Sequence, residues 1–186
     1  MFIQTEATPN PATLKFLPGR DVMGDKGTAF YTDVEAAKPS PLAQALFEIE
    51  HVKAIFLGAD FITVTKAEKG EWEVLRPLLL TTMMEHFVAE KPVLEDAKKP
   101  AKADAKPIDK DDPVIAQIVE LIDERVRPAV AMDGGDIIFH SFEEGVVYLE
   151  MHGACSGCPS STLTLKQGIE NMLRHYVPEV QAVEAV

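Results

Sequence analysis

The chain of 186 residues is 46% apolar and 26% charged, enough core-forming material for two small domains or one of medium size. Its formal net charge of −12 excludes a protein that tracks nucleic-acid backbones, which needs clustered Lys and Arg to displace counterions, and it disfavours anionic membrane surfaces for the same reason. No apolar run reaches the length of a membrane-spanning helix, and Met1-Phe2-Ile3-Gln4-Thr5-Glu6 has neither a basic stretch nor an apolar one behind it, so the expectation is an intracellular protein.

In chain order, residues 2–6 and 13–17 read as short strands joined by a Pro9-Asn10-Pro11 turn, with Pro18-Gly19 ending the second. Ser40-Pro41 opens a helix with Leu42, Ala45, Leu46 and Ile49 on one face, the serine as N-cap and the proline where no N–H is needed. Residues 52–57 and 61–66 are expected as strands around a Gly58-Ala59-Asp60 turn. A closing helix over residues 71–88 presents Leu75, Leu78, Leu79, Met83 and Phe87. Met83 and Met84 are assigned to the core, and Trp72 to packing against the strand pair. These elements make an α+β domain over residues 1–89, with no cysteine and no convincing catalytic cluster.

Residues 90–111 are rich in Lys, Asp, Ala and Pro and hold almost no large apolar side chains, so they cannot bury a core. Pro92, Pro100 and Pro107 exclude a continuous helix. The expected architecture is therefore two small α+β domains joined by a flexible charged linker.

The second domain, residues 112–186, starts at Asp112-Pro113 with a helix whose Ile115, Ile118, Val119, Ile122 and Val126 share one face, and Pro128 is expected to disrupt its end. Gly134-Gly135 between aspartates reads first as a turn. Residues 137–142 and 146–151 pair as strands around Glu143-Glu144-Gly145. A helix over residues 159–176 buries Leu165, Ile169, Met172, Leu173 and Tyr176, and residues 180–183 form a last strand.

Everything chemical converges on Cys155 and Cys158, the chain's only cysteines. A disulfide between residues three apart closes too short a loop to staple a fold, and a close pair in a reducing compartment is more often a metal or redox site. The pair lies in Gly153-Ala154-Cys155-Ser156-Gly157-Cys158-Pro159, between a strand and a helix with Cys158 at the N-cap, where free N–H groups and the helix dipole favour thiolates. Four thiolates normally hold a [2Fe–2S] or a [4Fe–4S] cluster and one chain offers two, so two chains must contribute, in an exposed, easily dismantled site. Zinc would need two further ligands. His140, His152 and His175 are available but none is paired at zinc-finger spacing, and His152 is expected to face outward at a strand end. A dithiol oxidoreductase would also place the pair at a helix N-terminus, although the alternation of parallel strands and helices expected around such a site is missing.

Beyond the cysteine loop, Met132-Asp133-Gly134-Gly135-Asp136 and Thr164-Leu165-Lys166-x-Gly168-Ile169-Glu170 make the second domain resemble the C-terminal domain of NifU-like scaffold proteins. Phe2-Ile3-Gln4-Thr5-Glu6-x-Thr8-Pro9-Asn10-Pro11, Ser40-Pro41-Leu42-Ala43 and Phe61-Ile62-Thr63-Val64-Thr65-Lys66 resemble the N-terminal domain of the Nfu type. The resemblance implies a non-enzymatic carrier with Cys155 and Cys158 as ligands and a [4Fe–4S] cluster, rather than [2Fe–2S], shared between two subunits. It implies a homodimer when loaded, apo iron–sulfur clients and upstream assembly proteins as partners, and neither nucleic acid nor membrane. Because the chain opens directly on the first domain, the bacterial cytoplasm is the expected compartment, with the mitochondrial matrix as the alternative if a presequence has been removed.

Overall fold

A computed structural model describes residues 1–95 and 111–186, and the chain divides into two compact units, Met1–Ala101 and Lys102–Val186. Both are α+β. Most of the expected linker, residues 96–110, lies outside the described residues.

In the first unit, β1 (Gln4–Ala7), β2 (Thr13–Leu17), β3 (Ala29–Tyr31), β4 (Val52–Leu57) and β5 (Ile62–Lys66) form one antiparallel sheet in the order β1-β2-β5-β4-β3. The short edge strand β3 has no counterpart in the sequence reading, being three residues without a clear alternation. One face of the sheet packs Phe16, Ile55, Leu57, Ile62 and Val64 against α1 (Pro41–Phe47) and α2 (Trp72–Val88). Ser40 caps α1 by accepting the Ala43 N–H at 3.1 Å, with Pro41 at the start as expected. On α2, Leu75, Leu79, Met83, His86 and Phe87 face inward. Leu78 and Met84 are exposed instead of buried, because the inward stripe follows the four-residue step from Leu75 and leaves both on its flanks. Trp72 donates its indole N–H to the Pro11 carbonyl in the β1–β2 turn at 3.0 Å.

The first residues of the expected linker are not free of this unit. His86 Nε2 lies 3.1 Å from the Pro92 carbonyl, Ser40 Oγ donates to the Val93 carbonyl at 2.6 Å, and the Glu95 N–H donates to the Pro39 carbonyl at 2.9 Å. Val93 and Leu94 pack on the core. The segment after α2 is thus a strap, held because Val93 and Leu94 supply the apolar anchors that the composition of the stretch conceals.

The second unit carries β6 (Gly135–Glu143), β7 (Val146–Gly153) and β8 (Ala182–Ala185), with β6 and β7 antiparallel and β8 parallel to β7 through α5 (Pro159–Tyr176). Glu144 (φ 50) and Gly145 (φ 82) make the tight β6–β7 turn, the conformation that two-residue hairpins favour. The helix α3 (Pro113–Leu121), capped by Asp112, does not end at Pro128. A π turn over Ile122–Val126 closes with the Arg127 N–H donating to the Ile122 carbonyl, and α4 (Arg127–Met132) continues with Pro128 in its first turn. The wide turn accommodates a residue with no N–H to donate. Ile118, Ile122, Val126, Ile137, Val147, Leu149, Leu173 and Val183 form the core. Tyr176 is exposed rather than buried and lies under Arg125, and Val177 fills the core position one residue later. Among the described residues no helix is long and apolar enough to cross a membrane.

Candidate functional site

The long hairpin brings Gly135 opposite Gly153 and Asp136 opposite His152, at the end of the sheet where the chain leaves β7 for the cysteine loop. A Gly–Gly pair there puts no side chain between β6 and the loop. A Cβ on Gly135 would lie 2.6 Å from Cys155 Sγ and 2.7 Å from the His152 carbonyl, closer than real atoms approach, so Cys155 rests on the bare backbone of Gly135. The Ala154 N–H donates to the Gly134 carbonyl at 3.1 Å, tying the loop to the same segment. Asp133-Gly134-Gly135-Asp136 is therefore a turn at Gly134 (φ 82) and also the seat of the cysteine loop.

The loop turns tightly, with the Ser156 N–H on the Gly153 carbonyl at 3.1 Å, and Gly153 (φ 64) and Gly157 (φ 72) adopt the left-handed conformation on either side of Cys155. Cys158 is the N-cap of α5, as expected, and its carbonyl accepts from both the N–H (3.0 Å) and the hydroxyl (2.6 Å) of Thr162. Neither cysteine is in a disulfide, and both are buried, Cys155 at 5% and Cys158 at 1% exposure. That corrects the expectation of an exposed site: the turn folds Cys155 back into the space that Gly135 leaves. Burial, then Asp133, Asp136 and Cys158, push the Cys155 thiol up to about 12, outweighing any help from the helix N-terminus in this closed conformation.

His152 also departs from expectation. It is buried, with Nε2 2.9 Å from Glu150 Oε1, because the carboxylate two residues earlier on the same strand face gives the ring a partner. Asp136 was singled out only as part of a turn, and Arg127 not at all. The Asp136 carboxylate is buried and takes a two-pronged contact from Arg127, Nε to Oδ1 at 2.9 Å and Nη2 to Oδ2 at 2.8 Å, while Arg127 Nη1 reaches Asp123 at 3.2 Å. Hydrogen bonding to Asp136 raises the Arg127 pKa further. An aspartate leading into an apolar strand needs a cation, which is the signal the sequence offered. Among the described residues, no group of three or more His, Cys, Asp or Glu side chains could hold a metal ion. His140 lies along β6 beside Ser141, and His175 packs edge-on against Tyr176.

The profile of the scaffold protein Nfu/NifU N-terminal domain matches residues 3–90, and that of the NifU-like domain matches residues 118–184. A protein of Drosophila persimilis named NFU1 iron-sulfur cluster scaffold homolog, mitochondrial, is 50% identical over 186 residues, all of this chain and 65% of its own length. Its counterpart in Drosophila virilis is 49% identical, with 62% of its length covered. The chain thus spans somewhat less than two thirds of these relatives. Among solved structures, the NifU-like protein from Saccharomyces cerevisiae aligns at 22% identity and TM-score 0.47, over 52% of this chain and 86% of that one. Protein SAV1430 from Staphylococcus aureus aligns at 30% identity and TM-score 0.40, over 45% and 99%.

Proposed function

The chain belongs to the Nfu/NifU family of iron–sulfur cluster scaffold proteins, and from that premise we propose that its second unit receives a [4Fe–4S] cluster on Cys155 and Cys158, shares it with the same pair of a second copy, and passes it to apo-proteins. The cluster is cargo, and no turnover chemistry is assigned. The observation that carries the reading is the seating of the chain's only two thiols in one loop, on a glycine floor and at the N-terminus of α5. Two thiolates from each of two chains complete a four-sulfur ligand set. The donor chemistry fits; the burial of both thiols requires the loop to turn outward, and the left-handed glycines Gly153 and Gly157 are the hinges this assigns.

A dithiol oxidoreductase using the same pair is the competing reading. It needs an accessible thiolate of lowered pKa, whereas Cys155 is buried with its pKa raised. The first unit, without a cysteine, is assigned to contacts with clients, and the part of the expected linker beyond the strap at Glu95 to tethering. The relatives' names support the mitochondrial matrix over the bacterial cytoplasm as the compartment.

Anaerobic reconstitution with iron and sulfide, followed by iron assay and sedimentation on one sample across a dilution series, tests this function. The expected result is one four-iron cluster per two chains, a dimer that falls apart when the cluster is chelated, and loss of both in Cys155→Ala and in Cys158→Ala. A monomer carrying a full cluster would defeat the shared site. A variant lacking either thiol that still loads would defeat the ligand assignment.

A further inference from the structure

We propose that Arg127 and Asp136 are a positioning pair for the bound cluster: the guanidinium locks the Gly135–Asp136 segment on which Cys155 rests, and it cancels a carboxylate charge that would otherwise face an anionic four-thiolate site. The proposal rests on the cluster reading above and adds to it what holds and tunes the loop.

The geometric half starts from the fork. Both Asp136 carboxylate oxygens are taken by Arg127, at 2.9 and 2.8 Å, and Oδ1 also accepts the Ile137 N–H at 2.9 Å, so the first residues of β6 are fixed in orientation. Asp136 follows directly after Gly135, whose missing Cβ is the space Cys155 Sγ occupies. Any rotation of β6 at this point lifts the floor of the loop. The π turn over Ile122–Val126 immediately precedes Arg127 and sets its register on the helix, so that a side chain from α4 reaches the strand; such turns often sit at functional sites.

The electrostatic half follows from charge. A [4Fe–4S] core in its 2+ state, held by four thiolates, carries a net charge of about minus two. Asp136 is buried and directly follows Gly135, the residue on which Cys155 Sγ rests, so its carboxylate belongs to the loop's immediate surroundings. Alone, that carboxylate would repel the loaded site through a poorly screening interior. Paired with Arg127, it presents a compensated dipole. Asp123, on the other side of Arg127, is more exposed and keeps the guanidinium oriented when Asp136 is changed.

The test uses the full-length chain as Arg127→Met, Asp136→Asn and the double variant, each loaded anaerobically. The readouts are the midpoint potential of the bound cluster, its half-time of loss to an iron chelator, and the melting temperature of the apo form. Arg127→Met leaves an uncompensated carboxylate, so the potential should become more negative and chelator loss roughly 10-fold faster or more, the range expected for partners behind metal ligands. Asp136→Asn removes the buried carboxylate and leaves the guanidinium with only the more exposed Asp123 as partner, so the potential should move the opposite way. The double variant should return toward wild type in potential. Opposite signs in the two single variants are the signature that a merely structural role does not produce. Shifts of the same sign, or unchanged potentials in variants that fold like wild type, would overturn the pair's role while leaving the ligands in place. If Arg127→Met does not fold, Asp136→Asn against the double variant carries the test: a less negative potential in the first that the second returns toward wild type supports the pair, and no shift or a more negative one overturns it. A wild-type chain that takes up no cluster would overturn the ligand assignment and this proposal together.

Discussion

The two units differ in where they keep their polar groups. In the first, buried polar side chains join pieces of backbone: Thr13 and Thr65 share a 2.8 Å hydrogen bond across β2 and β5, and Ser40 and His86 tie α1 and α2 to the strap at Val93 and Pro92. The Tyr31 hydroxyl, buried and without a hydrogen-bond partner among the described residues, is an exception. In the second unit the hairpin turn holds Glu144 and Gly145 at positive φ, and the opposite end of the sheet, around Cys155, gathers other departures from regular structure. They comprise a π turn, left-handed glycines on both sides of Cys155, a buried carboxylate–guanidinium pair and two buried thiols. Gly153, Gly157 and the Arg127–Asp136 pair all lie around Cys155, and on that geometry the proposed cluster site rests.

The contrast can be broken most sharply at Gly135. Replacing it by Val drives a branched side chain into Cys155 Sγ and the His152 carbonyl, and the backbone oxygen cannot step aside. The expected cost is about 1–3 kcal/mol in the second unit, with cluster uptake abolished and the first unit's unfolding unchanged. Iron content after reconstitution and two-transition calorimetry check it, and a Gly135→Val protein that loads normally would mean that Cys155 does not rest there when the cluster binds. A smaller effect is expected at Ser40, whose hydroxyl both caps α1 and holds the strap. Ser40→Ala should cost about 1–2 kcal/mol, confined to the first unit, and should speed proteolysis near Val93 without touching iron content. Loss of iron in that variant would erase the division between the units.

Much of this was legible beforehand because it rests on local chemistry. Ser40-Pro41 and Asp112-Pro113 announced their helices through cap and proline, and Cys158 its helix N-cap through the following Pro159. What failed was whatever depends on a distant partner. Pro128 ends a helix by local rules, yet here the π turn before it carries the chain on to Met132. Gly135 looks like half of a turn until β7 returns and lays Cys155 over it. His152 looks like a solvent-facing strand end until Glu150 turns toward it, and the apolar pair Val93-Leu94 is invisible within a stretch whose average composition reads as linker. Ligand counting located the thiols but could not see that a closed loop buries them.

The smallest expected effect sharpens the comparison through pH, at a histidine buried in the first unit. His86 is buried at the end of α2, and burial holds its pKa below the ordinary value of 6.5, with the nearby Lys91 ammonium adding to the same direction; the hydrogen bond to Pro92 opposes them only in part. The unfolded chain therefore binds a proton at a pH where the folded unit does not. Stability from this group is complete above pH 6.5 and declines as the pH falls from there toward the depressed folded value, after which protonation of both states ends the slope. The Nε2 hydrogen bond to the Pro92 carbonyl survives protonation, so the acid cost is that of holding a charged ring in a buried place beside Lys91. Urea midpoints of the first transition, measured from about pH 8 to about pH 5, should fall in the wild type more than in His86→Gln, whose carboxamide can donate to the same carbonyl without taking up a proton. Equal slopes would show that His86 does not govern the acid response of the first unit, and a slope appearing in the second transition instead would reverse the comparison between the two.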